Sequence, residues 1–220
     1  MRMFGIDEVY FLVFALRWTL LLTAIAFIGG GIAGVLLALV RLSDNPLIRV
    51  VTSFYVQVVQ GLPLLMLLFL CFYGSSLLGF EISPIVAAAV ALTIHSSAFL
   101  GTIWESSLRA IVPAQWESAW SLALTPMQTL RDVIAPQAIR IALPPTVGFL
   151  VQVIKQTSLA SVIGFVEVTR AGQLMSNATF EPLKVFLIVA ALYFIVCFPL
   201  TQLSRWLERR SGPKLSGDLA

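Results

Sequence analysis

Long runs of leucine, isoleucine, valine, alanine and phenylalanine alternate with short polar segments along the chain. A helix that crosses a bilayer needs about 20 mainly apolar residues, and five runs are long enough. We place them at about residues 10–40, 50–78, 82–104, 139–163 and 183–203. The pattern predicts an all-α integral membrane protein with five transmembrane helices, one transmembrane domain over residues 1–220, and a polar segment at about residues 105–138.

Composition and charge support a membrane protein. Hydrophobic residues make up 59% of the chain and charged residues 11%, whereas soluble domains have about 45–50% and about 25%. Arginine and lysine collect after the first and third runs and in the C-terminal tail, which the positive-inside rule assigns to the cytoplasm. The N-terminus is therefore expected outside and the C-terminus inside. Because this bias accounts for the net charge of +3, no nucleic-acid partner is expected.

Glycines in the first run suggest close helix packing. Gly29, Gly31 and Gly34 match the spacing of a dinucleotide-binding loop, but that loop follows a β-strand, and these glycines lie inside a lipid-spanning run. Gly30 and Gly34 form a GxxxG pair, which lets two membrane helices approach closely. No phosphate-binding GxxxxGKS or GxxxxGKT segment occurs, so the chain is not expected to bind ATP.

The second run is interrupted by Gly61 and Pro63. Proline removes a backbone donor and clashes with the preceding helical turn. In lipid, the freed carbonyl groups need partners from protein or from water in a cavity. A kinked helix that faces protein is therefore expected here.

Polar residues within the third and fourth runs are candidates for a substrate pathway, because polar groups in a membrane should face the bundle or a path. They are Ser96, Ser97, Thr102, Lys155, Gln156 and Thr157. The hydroxyl groups of the third run fit a pathway and interhelical hydrogen bonding equally well. A pathway role is favoured for Lys155, since a lysine at the centre of a membrane helix costs about 2.5–3.5 kcal/mol. Residues 167–182 are expected to form an outer loop.

Two short helices are predicted within the polar segment. The first begins at Pro113 and runs to about residue 124, and the second covers about residues 126–134 and is closed by Pro136. The stretch lacks histidine, cysteine and any serine–base pair, so no catalytic residue or metal site is expected.

One acidic residue and several small residues share neighbouring turns of the first short helix. Glu117 is followed by Ser118, Ala119 and Ala123. Small residues permit close approach of another protein, and a single carboxylate can orient that protein through a polar contact. This combination suits docking to a soluble protein.

Four separated segments resemble the permease subunits of bacterial ATP-binding-cassette importers for polar amino acids, over about residues 10–210. The family's cytoplasmic signature places Glu-Ala-Ala before a glycine and a later proline, and this chain has Glu117-Ser118-Ala119, then Ala123 and Pro136. The other three segments are IVPAQWESA, VQGLPLL and IKQTSLASVIGFVEVTRAG. Ala123 stands where the family usually has glycine, which puts the bend at risk because alanine tolerates positive φ poorly.

The resemblance implies a type I importer in which two permease chains, identical or paralogous, form the pore in the bacterial inner membrane. A cytoplasmic ATPase dimer would bind ATP and Mg²⁺, so this chain needs no cofactor and is not itself an enzyme. A periplasmic binding protein would deliver the polar amino acid. The polar segment would supply the helix that couples to the ATPase, through Glu117, Ser118, Ala119, Ala123 and Pro136.

The resemblance also bears on the substrate. The family usually has aspartate where this chain has Gln156, which favours a neutral polar or acidic amino acid over a strictly cationic one. Thr102 and Glu105 replace the glutamate and arginine common in the family. The alternatives are a secondary transporter, which normally shows internal repeats and intramembrane acids, and a structural membrane scaffold.

Overall fold

The computed structural model describes residues 5–43 and 45–211, which contain helices and no strand. The helices in chain order are α1 (Ile6–Val40), α2 (Pro46–Gly61), α3 (Leu64–Leu77), α4 (Pro84–Arg109), α5 (Pro113–Ser121), α6 (Pro126–Gln128), a π-helical segment (Thr129–Ile134), α7 (Ala135–Gln156), a 3₁₀ segment (Thr157–Ile163), α8 (Val168–Thr179) and α9 (Pro182–Ser211).

Four helical stretches in the described part of the chain are long and apolar enough to cross a membrane. They are Ile6–Val40, Pro84–Arg109, Pro126–Ile163 and Pro182–Arg210. The pair α2 and α3 makes a fifth crossing if the two helices are taken together. The predicted all-α membrane fold is therefore confirmed. Several helices extend a few residues beyond the apolar runs, because polar turns continue the backbone hydrogen bonding past the lipid-facing part.

The second span is broken rather than gently kinked. α2 and α3 meet at an angle of 101° across residues 62–63. Leu62 is extended, with φ −91° and ψ 134°, as expected for a residue that precedes proline. The Met66 amide donates to the Pro63 carbonyl at 2.9 Å and so begins the new helix.

The core of the bundle is the packing of α1 along α4, the most extensive pair among the described helices. Glycines allow this approach from both sides. A Cβ atom built on Gly34 would lie 2.8 Å from the Gly101 nitrogen, and one built on Gly101 would lie 2.9 Å from Leu37 Cδ2. The predicted GxxxG pair therefore lies at a helix contact.

Pro136 does not close a helix, contrary to the prediction. The chain runs from Pro126 through the π-helical segment into α7 as one continuous stretch, and Pro136 lies in the first turn of α7. The Ala135 amide donates to the Leu130 carbonyl, five residues back. This wider turn shifts the hydrogen-bond pattern just before a residue that has no amide proton, and proline is tolerated in the first turn of a helix.

The predicted outer loop at residues 167–182 is also mostly helical. α8 occupies Val168–Thr179 and packs against both α1 and α9. Its N-cap is Glu167, whose side chain accepts a hydrogen bond from the Arg170 amide at 2.9 Å. A carboxylate at this position satisfies an otherwise unpaired amide of the first helical turn.

Candidate coupling surface and translocation path

The exposed face of α5 carries Glu117 and Ser118. No hydrogen bond or ion pair to the Glu117 carboxylate occurs among the described residues. Glu117 lies beside Trp120, which is 60% exposed, and both line a hollow of about 430 Å³. Leu122, just beyond the helix, is 75% exposed. This face combines a free carboxylate with large apolar side chains.

Ala119 is not part of that face, which corrects its predicted docking role. It is only 2% exposed and lies on the inner side of α5, which packs against the π-helical segment. Its small size serves packing within the chain. Docking contacts from this helix therefore come from the exposed residues around Glu117.

Ala123 ends α5 in a left-handed conformation with φ 55°. The Leu124 amide donates to the Ala119 carbonyl at 3.2 Å, and the Ala123 amide donates to the Trp120 carbonyl at 2.9 Å. These two bonds form a Schellman motif, in which the left-handed position is usually glycine. Alanine therefore stands at the left-handed position of this turn, where the backbone conformation favours glycine.

An ionic cluster lies behind the coupling surface. The Glu105 carboxylate, near the end of α4, pairs with Arg41 at 2.7 Å and with Arg109 at 2.9 Å. Arg41 also donates to Ser53 Oγ on α2 at 3.2 Å. The cluster joins the C-terminal ends of α1 and α4 and connects them to α2. The sequence gives little indication of this cluster, because only the four-residue spacing of Glu105 and Arg109 on a helix indicates an ion pair.

Two of the three predicted pathway hydroxyls of α4, those of Ser97 and Thr102, make hydrogen bonds to α2. Tyr55 Oη on α2 lies 2.6 Å from Ser97 Oγ, and Gln60 Nε2 donates to Thr102 Oγ1 at 3.0 Å. Ser96 is fully buried, directly beneath Gly30. These three side chains pack α4 against α1 and α2.

The predicted pathway residues at the end of α7 point in different directions. Thr157 is fully buried and donates to the Ile154 carbonyl at 2.7 Å. Gln156 Nε2 lies 3.2 Å from Nε2 of His95 on α4. Lys155 is exposed and lines a separate groove against α9. The six predicted residues therefore do not form one site within a single chain.

The Lys155 groove has a volume of about 280 Å³ and runs between α7 and α9. Its other lining residues are Tyr193, Phe194, Cys197, Phe198, Thr201, Gln202 and Arg205. Aromatic and amide side chains thus lie beside two cations. No hydrogen bond or ion pair to the Lys155 ammonium occurs within residues 5–43 and 45–211.

His95 was not among the predicted site residues, although the sequence showed it as a polar group in the third run. The residue is 5% exposed, and its ring lies against that of Phe99 at an angle of 37°, with 4.5 Å between centroids. Nδ1 of His95 and Oε1 of Gln156 have no partner among the described residues. The pair therefore leaves two buried polar atoms available between α4 and α7.

A second buried polar cluster, also missed from the sequence, lies at Glu167. The carboxylate accepts hydrogen bonds from Tyr193 Oη at 2.9 Å and from Thr19 Oγ1 at 3.4 Å. Burial raises the pKa of the Glu167 carboxyl, and hydrogen bonds from Thr169, Arg170 and Tyr193 act in the opposite direction. The cluster ties α8 to α1 and α9.

The family relationship follows from a match over most of the chain. The family described as the binding-protein-dependent transport system inner membrane component matches residues 30–212. The chain belongs to this permease family.

Curated relatives extend over nearly the same length. The permease is 31% identical over 193 residues to the probable amino-acid ABC transporter permease protein YckA of Bacillus subtilis (strain 168), which covers 88% of this chain and 85% of that protein. It is 34% identical over 194 residues to the L-cystine transport system permease protein TcyB of the same organism, covering 88% and 83%.

Solved structures share the fold. The permease superimposes on a chain from the crystal structure of an amino acid ABC transporter with histidines, with a TM-score of 0.87 and 33% identity, over 96% of this chain and 100% of that one. A chain of the inward-facing MetNI methionine ABC transporter, 22% identical with a TM-score of 0.79, covers 95% of this chain and 100% of its own length and has the same fold.

These findings confirm the predicted class of protein. The permease is the membrane subunit of an ATP-binding-cassette importer and a multi-pass protein of the inner membrane. Permeases of this family work with a separate ATPase and a binding protein.

Proposed function

We propose that this permease imports a polar amino acid or a derivative of one, delivered by a periplasmic binding protein. Relatives named as amino-acid, L-cystine and glutamine permeases support this substrate class. The observation that carries the proposal is the free ammonium group of Lys155 in the groove between α7 and α9. An ionisable group within a membrane helix marks a substrate path by default.

Lys155 would receive the substrate carboxylate in this scheme. The groove places Gln202 and Thr201 near the cation, and their oxygen atoms can accept hydrogen bonds from a substrate ammonium group. A zwitterionic amino acid needs both kinds of partner. The proposed substrate-pathway role of Ser96, Ser97, Thr102 and Thr157 is limited to shaping the helices, since their side chains are engaged in packing.

The groove beside Lys155 supports a substrate without a positive side chain. Its lining holds two cations, Lys155 and Arg205, and no acid. Gln156 does not line this groove and faces His95 on α4. A neutral polar or acidic amino acid fits the lining of the groove better than lysine or arginine.

Uptake kinetics test the role of Lys155. In proteoliposomes that contain the permease, its ATPase and the binding protein, Lys155→Met should raise the KM for amino acid uptake at least about tenfold, equivalent to about 1.4 kcal/mol. Lys184→Met is the matched control, because Lys184 is an exposed lysine at the start of α9 that pairs with Glu181. Equal KM values for the Lys155 variant and the wild type would rule out the site.

We propose further that the ATPase docks on the face of α5 around Glu117. Ser118 and Ala123 are exposed beside it, and Trp120 and Leu122 supply apolar area of the kind that anchors interfaces. Pro136 would contribute only through the direction of α7. ATP and Mg²⁺ would bind to the ATPase dimer, so this chain would hold no cofactor and carry no catalytic residue.

Charge reversal tests that docking. Glu117→Arg should leave membrane insertion intact and abolish substrate-stimulated ATP hydrolysis together with uptake, because a cation would replace the free carboxylate. Glu208→Arg, an exposed acid near the end of α9, is the matched control and should retain both activities. If the Glu117 variant retains normal stimulated hydrolysis and uptake, the ATPase docks elsewhere.

We infer that the whole chain, residues 1–220, acts as one transmembrane domain with its N-terminus outside and its C-terminus in the cytoplasm. The cations Arg41, Arg109 and Arg131 near the coupling surface support this orientation through the positive-inside rule. A second permease chain, identical or paralogous, would complete the pore. Fusion of a periplasm-active reporter to each terminus should give activity only at the N-terminus.

A further inference from the structure

A hollow of about 400 Å³ lies between the cytoplasmic ends of α1, α4 and α7. Val35 and Leu39 of α1 form one wall, and Leu130 and Ile139 form the facing wall. Its volume is within the range of pockets that hold small molecules. It is separate from the hollow beside Glu117 and from the groove beside Lys155.

The hollow opens at the outer surface of the apolar part of the bundle. Leu39 is 39% exposed and Ile139 is 42% exposed, and both belong to stretches that can cross the membrane. Neighbouring side chains such as Leu36 and Val40 are exposed as well. A surface of this composition on a membrane helix faces lipid.

Arg131 stands at the rim and is the charged residue in the lining of this hollow. Its side chain is 84% exposed, and its nearest acid, Asp132, lies 3.8 Å away and is itself 60% exposed. An ion pair this open is worth little. The guanidinium therefore remains available to an anion located at the membrane interface.

We propose that this hollow binds one anionic phospholipid, with an acyl chain between α1 and α7 and the phosphate at Arg131. A basic residue beside a pocket between membrane helices on the cytoplasmic side is a known basis for recognition of anionic headgroups. Arginine suits a phosphate because its planar donors can bind two oxygens at once. Free phosphate would leave the apolar walls empty, and a zwitterionic lipid such as phosphatidylcholine would bring a cationic choline group close to the Arg131 guanidinium.

The lipid would reach the coupling region directly. Met127 also lines the hollow and lies in α6, which follows the Schellman turn at Ala123. Arg131 belongs to the π-helical segment against which α5 packs. Lipid bound here would contact the same segment that supports the docking face.

Native mass spectrometry of the permease with its ATPase tests the proposal. The complex is equilibrated with equal amounts of phosphatidylglycerol and phosphatidylcholine, and retained lipids are counted. The wild type should retain one phosphatidylglycerol per permease chain, with a preference over phosphatidylcholine of about fivefold. Arg131→Gln should abolish the preference, whereas Arg140→Gln, an exposed arginine outside the hollow, should keep it.

Two further arms separate the possible occupants. Ala135→Phe places a ring in the hollow and should reduce retention of both lipids, with thermal unfolding measured to verify the fold. Millimolar inorganic phosphate should not displace phosphatidylglycerol, because phosphate lacks the acyl chain. Unchanged lipid preference in Arg131→Gln, unchanged retention in Ala135→Phe, or displacement by phosphate would each overturn the proposal.

Discussion

Arg41 and Glu105 form an ion pair between the C-terminal ends of α1 and α4, with 2.7 Å between Arg41 Nη1 and Glu105 Oε2. Their side chains are 16% and 12% exposed, while Arg109, the second partner of the carboxylate, is 53% exposed. Because the Glu105 carboxylate on α4 has cationic partners at the ends of both α1 and α4, it acts as a structural link. It lies directly behind the surface proposed to receive the ATPase.

Removal of the Glu105 charge should therefore destabilise the permease. Glu105→Gln leaves Arg41 largely buried without a counter-ion, which costs about 3 kcal/mol. For a chain of this size that corresponds to a midpoint of thermal unfolding about 6–12 °C lower. The measurement is thermal unfolding of the purified protein in detergent.

Arg109→Gln serves as the comparison for this prediction. Because Arg109 is more exposed and screened by water, its loss should cost no more than about 1 kcal/mol. Equal unfolding midpoints for the Glu105 and Arg109 variants would show that burial of the Arg41–Glu105 ion pair does not add to stability.

Replacement of Ala123 by glycine should stabilise the permease, because the turn at this residue is strained. Ala123→Gly removes a left-handed alanine, which costs about 1–2 kcal/mol, and introduces the backbone entropy of glycine, about 0.5–1 kcal/mol. The net effect should be a gain of about 0.5–1 kcal/mol. Ala114→Gly, in an ordinary helical position of α5, should instead lose stability. Thermal unfolding of both variants checks the prediction, and changes of the same sign would contradict it.

The packing of α1 on α4 predicts a sharp difference between two glycines. A Cβ atom on Gly34 would lie 2.8 Å from the Gly101 nitrogen, whereas one on Gly74 of α3 would have nothing within 4 Å. Gly34→Ala should cost about 1–3 kcal/mol because backbone must move, and Gly74→Ala should cost nothing. The same unfolding assay compares them, and equal stability of the two variants would show that the helices can separate without penalty.

The sequence predicted the membrane fold because the length of an apolar run and the thickness of the bilayer are directly related. Local backbone chemistry also located the interruption at Pro63, predicted as a kink, and the resemblance to a family that usually has glycine at position 123 marked Ala123 as a position at risk of strain. The prediction that Pro136 closes a helix was wrong, because the hydrogen bond from the Ala135 amide to the Leu130 carbonyl, five residues back, leaves no local signal in the sequence.

Contacts between distant elements account for the remaining differences. The inward direction of Ala119 depends on how α5 packs against the π-helical segment, and no spacing within α5 specifies it. Glu167 acquires its role from Thr19, 148 residues earlier in the chain. Lys155 and Gln156 are adjacent in sequence but face different helices. Their residue types showed that both are polar, but could not show that they lie in different places.

The proposed transport of amino acids through this permease depends on ATP hydrolysis by a separate subunit. The most direct test is uptake from an amino acid mixture into proteoliposomes that contain the permease, its copurifying ATPase and the binding protein, with imported molecules identified by mass spectrometry. We expect uptake of neutral polar or acidic amino acids that requires ATP and persists when a protonophore collapses the proton gradient. Uptake that proceeds without ATP and stops with the protonophore would contradict it and indicate a secondary transporter.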